Sequence, residues 1–123
     1  MPIIIDGWNF IRHSSSRIQK EDALESARIL IAHLQRFQLT HNDSIILVFD
    51  SKHEFLSLRY QHSLKLRIVP TKDADSYIKR YIDKIPERQR RNLRVVSSDN
   101  SLYYYAKDAY ATPIKCEEFW RKL

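Results

Sequence analysis

Two kinds of apolar run alternate along this chain. Short, unbroken, mostly β-branched runs occur in IIID (3–6), SIILVFD (44–50), LRIV (66–69) and LRVVS (93–97). Runs this short suit strands covered on both faces, as in a parallel sheet. Between them apolar residues recur at helical spacing. Leu24, Ala27, Ile31 and Leu34, behind the acidic start Glu21, Asp22 and Glu25, predict a helix reaching about Leu39. Ala74, Tyr77, Ile78, Tyr81, Ile82 and Ile85 predict a second, ended by Pro86. Leu102, Tyr105, Ala106 and Ala109 predict a third, from Asn100 to about Tyr110. Pro70 is expected to stop the third strand. Ile114 to Cys116 can add a short edge strand beyond Pro113, with Phe119 and Trp120 pinning the tail. Residues 13–20 read as a loop, 51–64 as a loop with possible helix, and ERQRRN (87–92) as an exposed basic loop.

Strands alternating with helices imply βαβ crossovers, hence a three-layer α/β domain with a mainly parallel sheet of four or five strands. The 123 residues are expected to form one domain. A single cysteine, Cys116, excludes an internal disulfide. No signal-peptide pattern opens the chain, and no apolar run approaches the roughly 20 residues of a membrane span. A cytoplasmic protein is expected, with no membrane partner. One glycine in the whole chain removes the Walker loop, the dinucleotide-binding turn and the nucleophile elbow, so no nucleotide cofactor is expected. The five histidines show no metalloprotease or zinc-finger spacing. A net charge of +6 favours an anionic partner such as nucleic acid, although it also suits a solvated basic face.

The candidate chemistry lies in four aspartates. Asp6, Asp50 and Asp99 follow apolar strand runs, and Asp75 opens the helix after the remaining strand, so all four fall on the edge beyond the strand C-termini. Each alone could be a helix cap or turn residue. Together they would repel, and a divalent cation relieves that repulsion. Mg²⁺ or Mn²⁺ accepts hard oxygen ligands and can activate water against a phosphodiester. Surrounding cations, Arg12, Arg17, Lys72, Lys79 and Arg80, with the denser Arg90 and Arg91, could hold the polyanion that bare carboxylates repel. Trp8 and Phe10 could stack on an unpaired base, or pack beneath the loop after the first strand.

These residues resemble a known family, the PIN-like NYN domain, and within it the YacP-like bacterial proteins. IIIDGWNFI is similar to the family's opening strand and Asp-Gly-Tyr-Asn signature, ILVFD to its second strand, TKDADSYI to its threonine and Ala-Asp helix start, and RVVSSDN to its strand closing on Ser-Asp. The resemblance spans nearly the whole chain. It implies a PIN-like fold and a metal-dependent endoribonuclease acting on single-stranded RNA such as mRNA, a substrate the ribosome could present. It further implies Asp6, Asp75 and Asp99 as catalytic, metal-holding carboxylates, with Asn9 and Ser98 in support; Asp50, closing the second strand, is expected besides as an outer-shell or accessory ligand.

Three departures stand out. Trp8 replaces the usual tyrosine, and Lys79 stands where relatives often carry Glu, which leaves one or two ions open. Ala109-Tyr110-Ala111 replaces a glycine-containing helix end, so Tyr110 or a neighbour must manage the helix exit without glycine's freedom, at a cost in stability. Two rival readings remain. One is a non-catalytic RNA- or ribosome-binding module. The other is a receiver- or phosphatase-like domain with one phosphoacceptor Asp, for which Lys115 is a poor phosphate-side lysine.

Overall fold

The strands of the computed structural model run in the order β3-β2-β1-β4-β5, every neighbouring pair parallel. Residues 2–18, 22–50 and 65–123 are described, so the expectation for 51–64 lies outside them, as do parts of those for 13–20 and the acidic helix start. The elements are β1 (Ile3–Asp6), α1 (Gly7–Arg12), α2 (Ala23–Phe37), β2 (Ile45–Asp50), β3 (Leu66–Thr71), α3 (Ala74–Lys84), α4 (Glu87–Arg90), β4 (Arg94–Val96), α5 (Asn100–Asp108), β5 (Thr112–Ile114) and α6 (Cys116–Trp120). From β1 the chain moves outward through β2 and β3, then crosses to the other side of β1 for β4 and β5. The order therefore reverses between β1 and β4. In open parallel sheets a crevice forms beyond the strand C-termini at such a switch point.

Alternation along the strands makes two cores, one on each sheet face. Ile3, Ile5, Leu47 and Phe49 join Leu30, Ile31, Leu34, Phe119 and Trp120 on one side. Ile4, Ile46, Val48 and Val95 join Ile78, Ile82, Leu102 and Ala106 on the other. The result is the expected three-layer α/β arrangement, with an all-parallel sheet. At about 25 cal/mol per Å² of buried apolar surface, each fully covered isoleucine contributes about 2 kcal/mol. A polar residue at Ile4 would break the centre of the sheet.

Several local expectations change. Pro70 does not stop β3; it pairs in register with Phe49 inside the strand. β3 is an edge strand, where a missing N–H is tolerated. Pro113 is likewise inside β5, at the other edge, and β5 covers Thr112–Ile114 rather than Ile114 to Cys116. ERQRRN is no open loop: Glu87–Arg90 coil into one helical turn beginning after Pro86. Arg90 secures it, its guanidinium donating to the carbonyls of Ile85 (2.8 Å), Asp83 (3.3 Å) and Ala109 (3.5 Å).

The residues after Asp6 form α1, which the sequence reading had not resolved. Trp8, Phe10 and Ile11 are buried on it, and Phe10 stacks on Trp120 at 4.2 Å with planes 3° apart. The Trp120 indole donates to the Phe10 carbonyl at 2.8 Å, which fastens α6 beneath α1. Gly7 has no positive φ. Its requirement is space: a Cβ there would lie within 3.0 Å of three Phe49 ring atoms. The left-handed residue is Tyr110, at φ 69°, at the exit of α5. The Tyr110 N–H bonds to Lys107 O and the Ala111 N–H to Ala106 O, closing a Schellman-type cap that normally takes glycine. A non-glycine residue in that conformation costs about 1–2 kcal/mol.

Candidate active site

The four aspartates lie along the switch-point edge, and helix-capping chemistry places two of them, Asp6 and Asp99. Asp6 ends β1 and caps α1, accepting the Asn9 N–H at 3.5 Å. Asp99 follows β4 and caps α5 through the Leu102 N–H at 3.0 Å. Asp75 lies in the first turn of α3, whose cap is Asp73, bonded to the Ser76 N–H and hydroxyl. Asp50 ends β2 and its carboxylate accepts the Ala74 N–H, tying β2 to the start of α3. Capping thus places Asp6 and Asp99, while Asp50 and the Asp73 cap fix the helix start that carries Asp75. The N-termini of α1, α3 and α5 all face the acidic edge, and their positive dipole ends suit carboxylates or phosphate.

A polar clasp joins α1 to the loop after β4 behind this edge. Asn9 Oδ1 accepts from the Ser98 N–H (2.8 Å), the Ser97 hydroxyl (3.2 Å) and the Cys116 thiol (3.2 Å). Ser97 Oγ accepts in turn from the Asp99 N–H at 3.1 Å. Asn9 therefore braces the loop that carries Asp99, while its backbone reaches Asp6. The Ser98 hydroxyl accepts the Cys116 N–H at 2.9 Å and so holds the entry to α6. Burial pushes the Cys116 thiol up to about 11, keeping it a protonated donor. Ser97, 1 % exposed, is the residue that sequence reasoning missed; as one serine after a strand it carried no distinguishing signal.

The surface cleft at this edge has a volume of about 590 Å³ and is lined by residues including Asp6, Asn9, Arg12, His13, Asp50 and Ser98. Trp8 forms its wall. Its ring lies against Phe49 at 4.8 Å, its N–H donates to the Asp50 carbonyl at 2.6 Å, and Arg12 covers its face at 5.0 Å. With Trp8 9 % and Phe10 0 % exposed, both pack rather than offer a face to a base. His13 pairs with Glu117 at 3.3 Å on the rim.

Asp6 is the electrostatic focus. Burial, followed by the charges of Asp50, Asp99 and Asp75, raises it from 3.8 to about 6, against the lowering effect of the Asn9 N–H. The donor set is all hard oxygen, and its repulsion is of the kind a divalent cation relieves. Its chemistry thus fits Mg²⁺ or Mn²⁺. Among the described residues, no three His, Cys, Asp or Glu side chains form a ready-made ligand group, so a shared ion would require the carboxylates to turn inward. Lys79 supplies a fixed charge nearby: its ammonium lies 2.9 Å from Asp75 and 3.2 Å from the Ser101 hydroxyl, over the Tyr105 ring.

The other cations divide between two edges. Arg12 is in the cleft, Arg17 is exposed beyond α1, and Lys72 and Arg80 are exposed at the start and on the outer surface of α3. Arg90 and Arg91 lie before β4, at the opposite edge, away from the carboxylates. Arg90 is occupied by backbone carbonyls.

Together these features define a parallel α/β domain with an acidic crevice at its topological switch point. The model of the YacP-like NYN domain matches residues 3–123, and the chain belongs to that family. Two solved structures of Rae1 (YacP) from Bacillus subtilis share the fold. One has a TM-score of 0.73 at 19 % identity, covering 99 % of this chain and 72 % of that one. The W164L mutant has a TM-score of 0.74 at 19 % identity, covering 98 % and 73 %. No curated protein sequence matches. No helix among the described residues is long and apolar enough to cross a membrane.

Proposed function

We propose that this chain is a divalent-metal-dependent endoribonuclease that hydrolyses phosphodiester bonds of single-stranded RNA, including mRNA presented by the ribosome, in the cytoplasm. The observation that carries this reading is the placement of Asp6, Asp50, Asp75 and Asp99 beyond the strand C-termini around the switch point, within a family resemblance that implies a nuclease. Asp6, Asp75 and Asp99 would hold Mg²⁺ or Mn²⁺. When bound, the ion supplies Lewis acidity toward the scissile phosphate and a lowered pKa for the attacking water. The chain's own groups do the rest. Asp50 helps align α3 through the Ala74 N–H, and Asn9 with Ser97 fixes the approach of Asp99 to Asp6. Arg12, Lys72 and Arg80 draw in the RNA backbone, and the three helix N-termini favour a phosphate at the edge.

The test is cleavage of a labelled single-stranded RNA with Mn²⁺ and with EDTA. Chelation and Asp99→Asn should each abolish cutting while leaving the fold intact by circular dichroism. Cleavage that persists in EDTA or in Asp99→Asn would refute the mechanism.

A further inference from the structure

The basic segment ERQRRN has no part in the acidic edge, yet the fold builds it into a second cleft. This cleft, about 730 Å³, lies at the opposite edge of the sheet and is lined by Glu87, Arg88, Arg91, Lys107, Tyr110 and Ala111. Its frame is fixed. Arg90 ties α4 to the ends of α3 and α5, and the Thr112 hydroxyl donates to the Arg91 carbonyl at 2.8 Å. Arg88, Arg91 and Lys107 are exposed, and none takes part in the ion pairs found among the described residues. Glu87 is the one acid in the lining.

Tyr110 supplies an independent observation. It holds a left-handed conformation that glycine would adopt freely, and 65 % of it is exposed, so packing does little to repay the strain. An exposed aromatic ring beside unpaired arginines is the combination that holds a single strand: cations follow the phosphates and the ring stacks on a base. The geometry points to this cleft as a second RNA-binding site, in which Arg88, Arg91 and Lys107 contact phosphates and Tyr110 stacks on a base. It would grip the substrate strand away from the acidic edge. Only the choice of RNA over another anion rests on the nuclease reading.

The test compares a long single-stranded RNA with a tetranucleotide, both labelled, by fluorescence anisotropy in EDTA over a salt series. The triple variant Arg88→Ala, Arg91→Ala, Lys107→Ala should bind the long strand at least about ten-fold more weakly. Its salt slope should be shallower by about 2, the value expected for three lost phosphate contacts on a single strand. Tetranucleotide cleavage, assayed separately with Mn²⁺, should be unchanged. Tyr110→Gly should bind the long strand several-fold more weakly while unfolding at a higher temperature, which separates lost stacking from lost structure. An unchanged affinity and slope for the long strand would overturn the proposal, as would an equal loss for both oligonucleotides. So would a cleft that captures polyglutamate, as a stand-in for an acidic protein, while RNA affinity stays normal. RNA bound through this cleft but never cut would refute the nuclease instead; normal cutting with unchanged long-strand affinity would do the reverse.

Discussion

Replacing Asp6 by Asn should stabilise the protein at neutral pH while removing the ionisable group at the centre of the acidic edge. Unfolded, Asp6 ionises near 3.8; folded, near 6, because burial and three neighbouring carboxylates disfavour its charge. Between those values the folded chain binds the extra proton. Stability therefore falls as pH rises from about 4 to about 6, and the penalty is complete above that. At about 1.4 kcal/mol per pH unit the full penalty is about 3 kcal/mol. Asn has the same shape, caps helices as well as Asp and carries no charge to desolvate. Asp6→Asn should thus gain up to about 3 kcal/mol at pH 7.5, a rise in melting temperature on the order of 5 °C or more. The gain should fade below pH 6 and vanish near pH 4. Thermal unfolding of both proteins from pH 4 to pH 8 in EDTA measures it. Mn²⁺ should then raise the wild-type midpoint much more than that of the variant. A variant no more stable than wild type at pH 7.5, or a gain independent of pH, would refute the electrostatic reasoning.

Three further outcomes follow from the same geometry. Gly7→Ala should destabilise by about 1–3 kcal/mol in chemical denaturation despite the better helix propensity of alanine, because the new methyl meets the Phe49 ring; adding Phe49→Leu should recover part of the loss. Ser97→Ala should cost about 1–3 kcal/mol by leaving Asn9 Oδ1 and the Asp99 N–H short of a partner, and should lower kcat for RNA cleavage more than it raises KM. Lys79→Met removes the cation beside Asp75, so isothermal titration calorimetry should show several-fold tighter Mn²⁺ binding; unchanged or weaker binding would show that Lys79 does not compete for that charge.

Much of the framework was legible because parallel strands announce themselves. Runs such as Ile3–Ile5 and Ile45–Phe49 are apolar at every position since both faces are covered, and the βαβ rule then sends Asp6, Asp50, Asp75 and Asp99 to one edge without any knowledge of contacts. What escaped was information held by neighbours rather than by the residue itself. Pro70 marks a strand end in sequence, and only its place beside β2 alone makes it an edge residue. A lone glycine such as Gly7 ordinarily signals freedom to turn, whereas its constraint here is a ring 42 positions away in the chain. Six residues of α1 are too few to display a helical period. The exposed helix exit at Tyr110 was foreseeable because the strain there is local, fixed by the absence of glycine from 109–111.

The prolines of β3 and β5 also bear on how this domain can associate. Each outermost strand contains a residue with no N–H to offer, Pro70 on one side and Pro113 on the other. An incoming strand would meet an interrupted ladder at either border. Growth of the sheet by annexing another chain, whether a peptide, a second copy or a misfolded neighbour, is disfavoured from both directions. Among the described residues, association is left to the side chains of the helical layers and the two clefts.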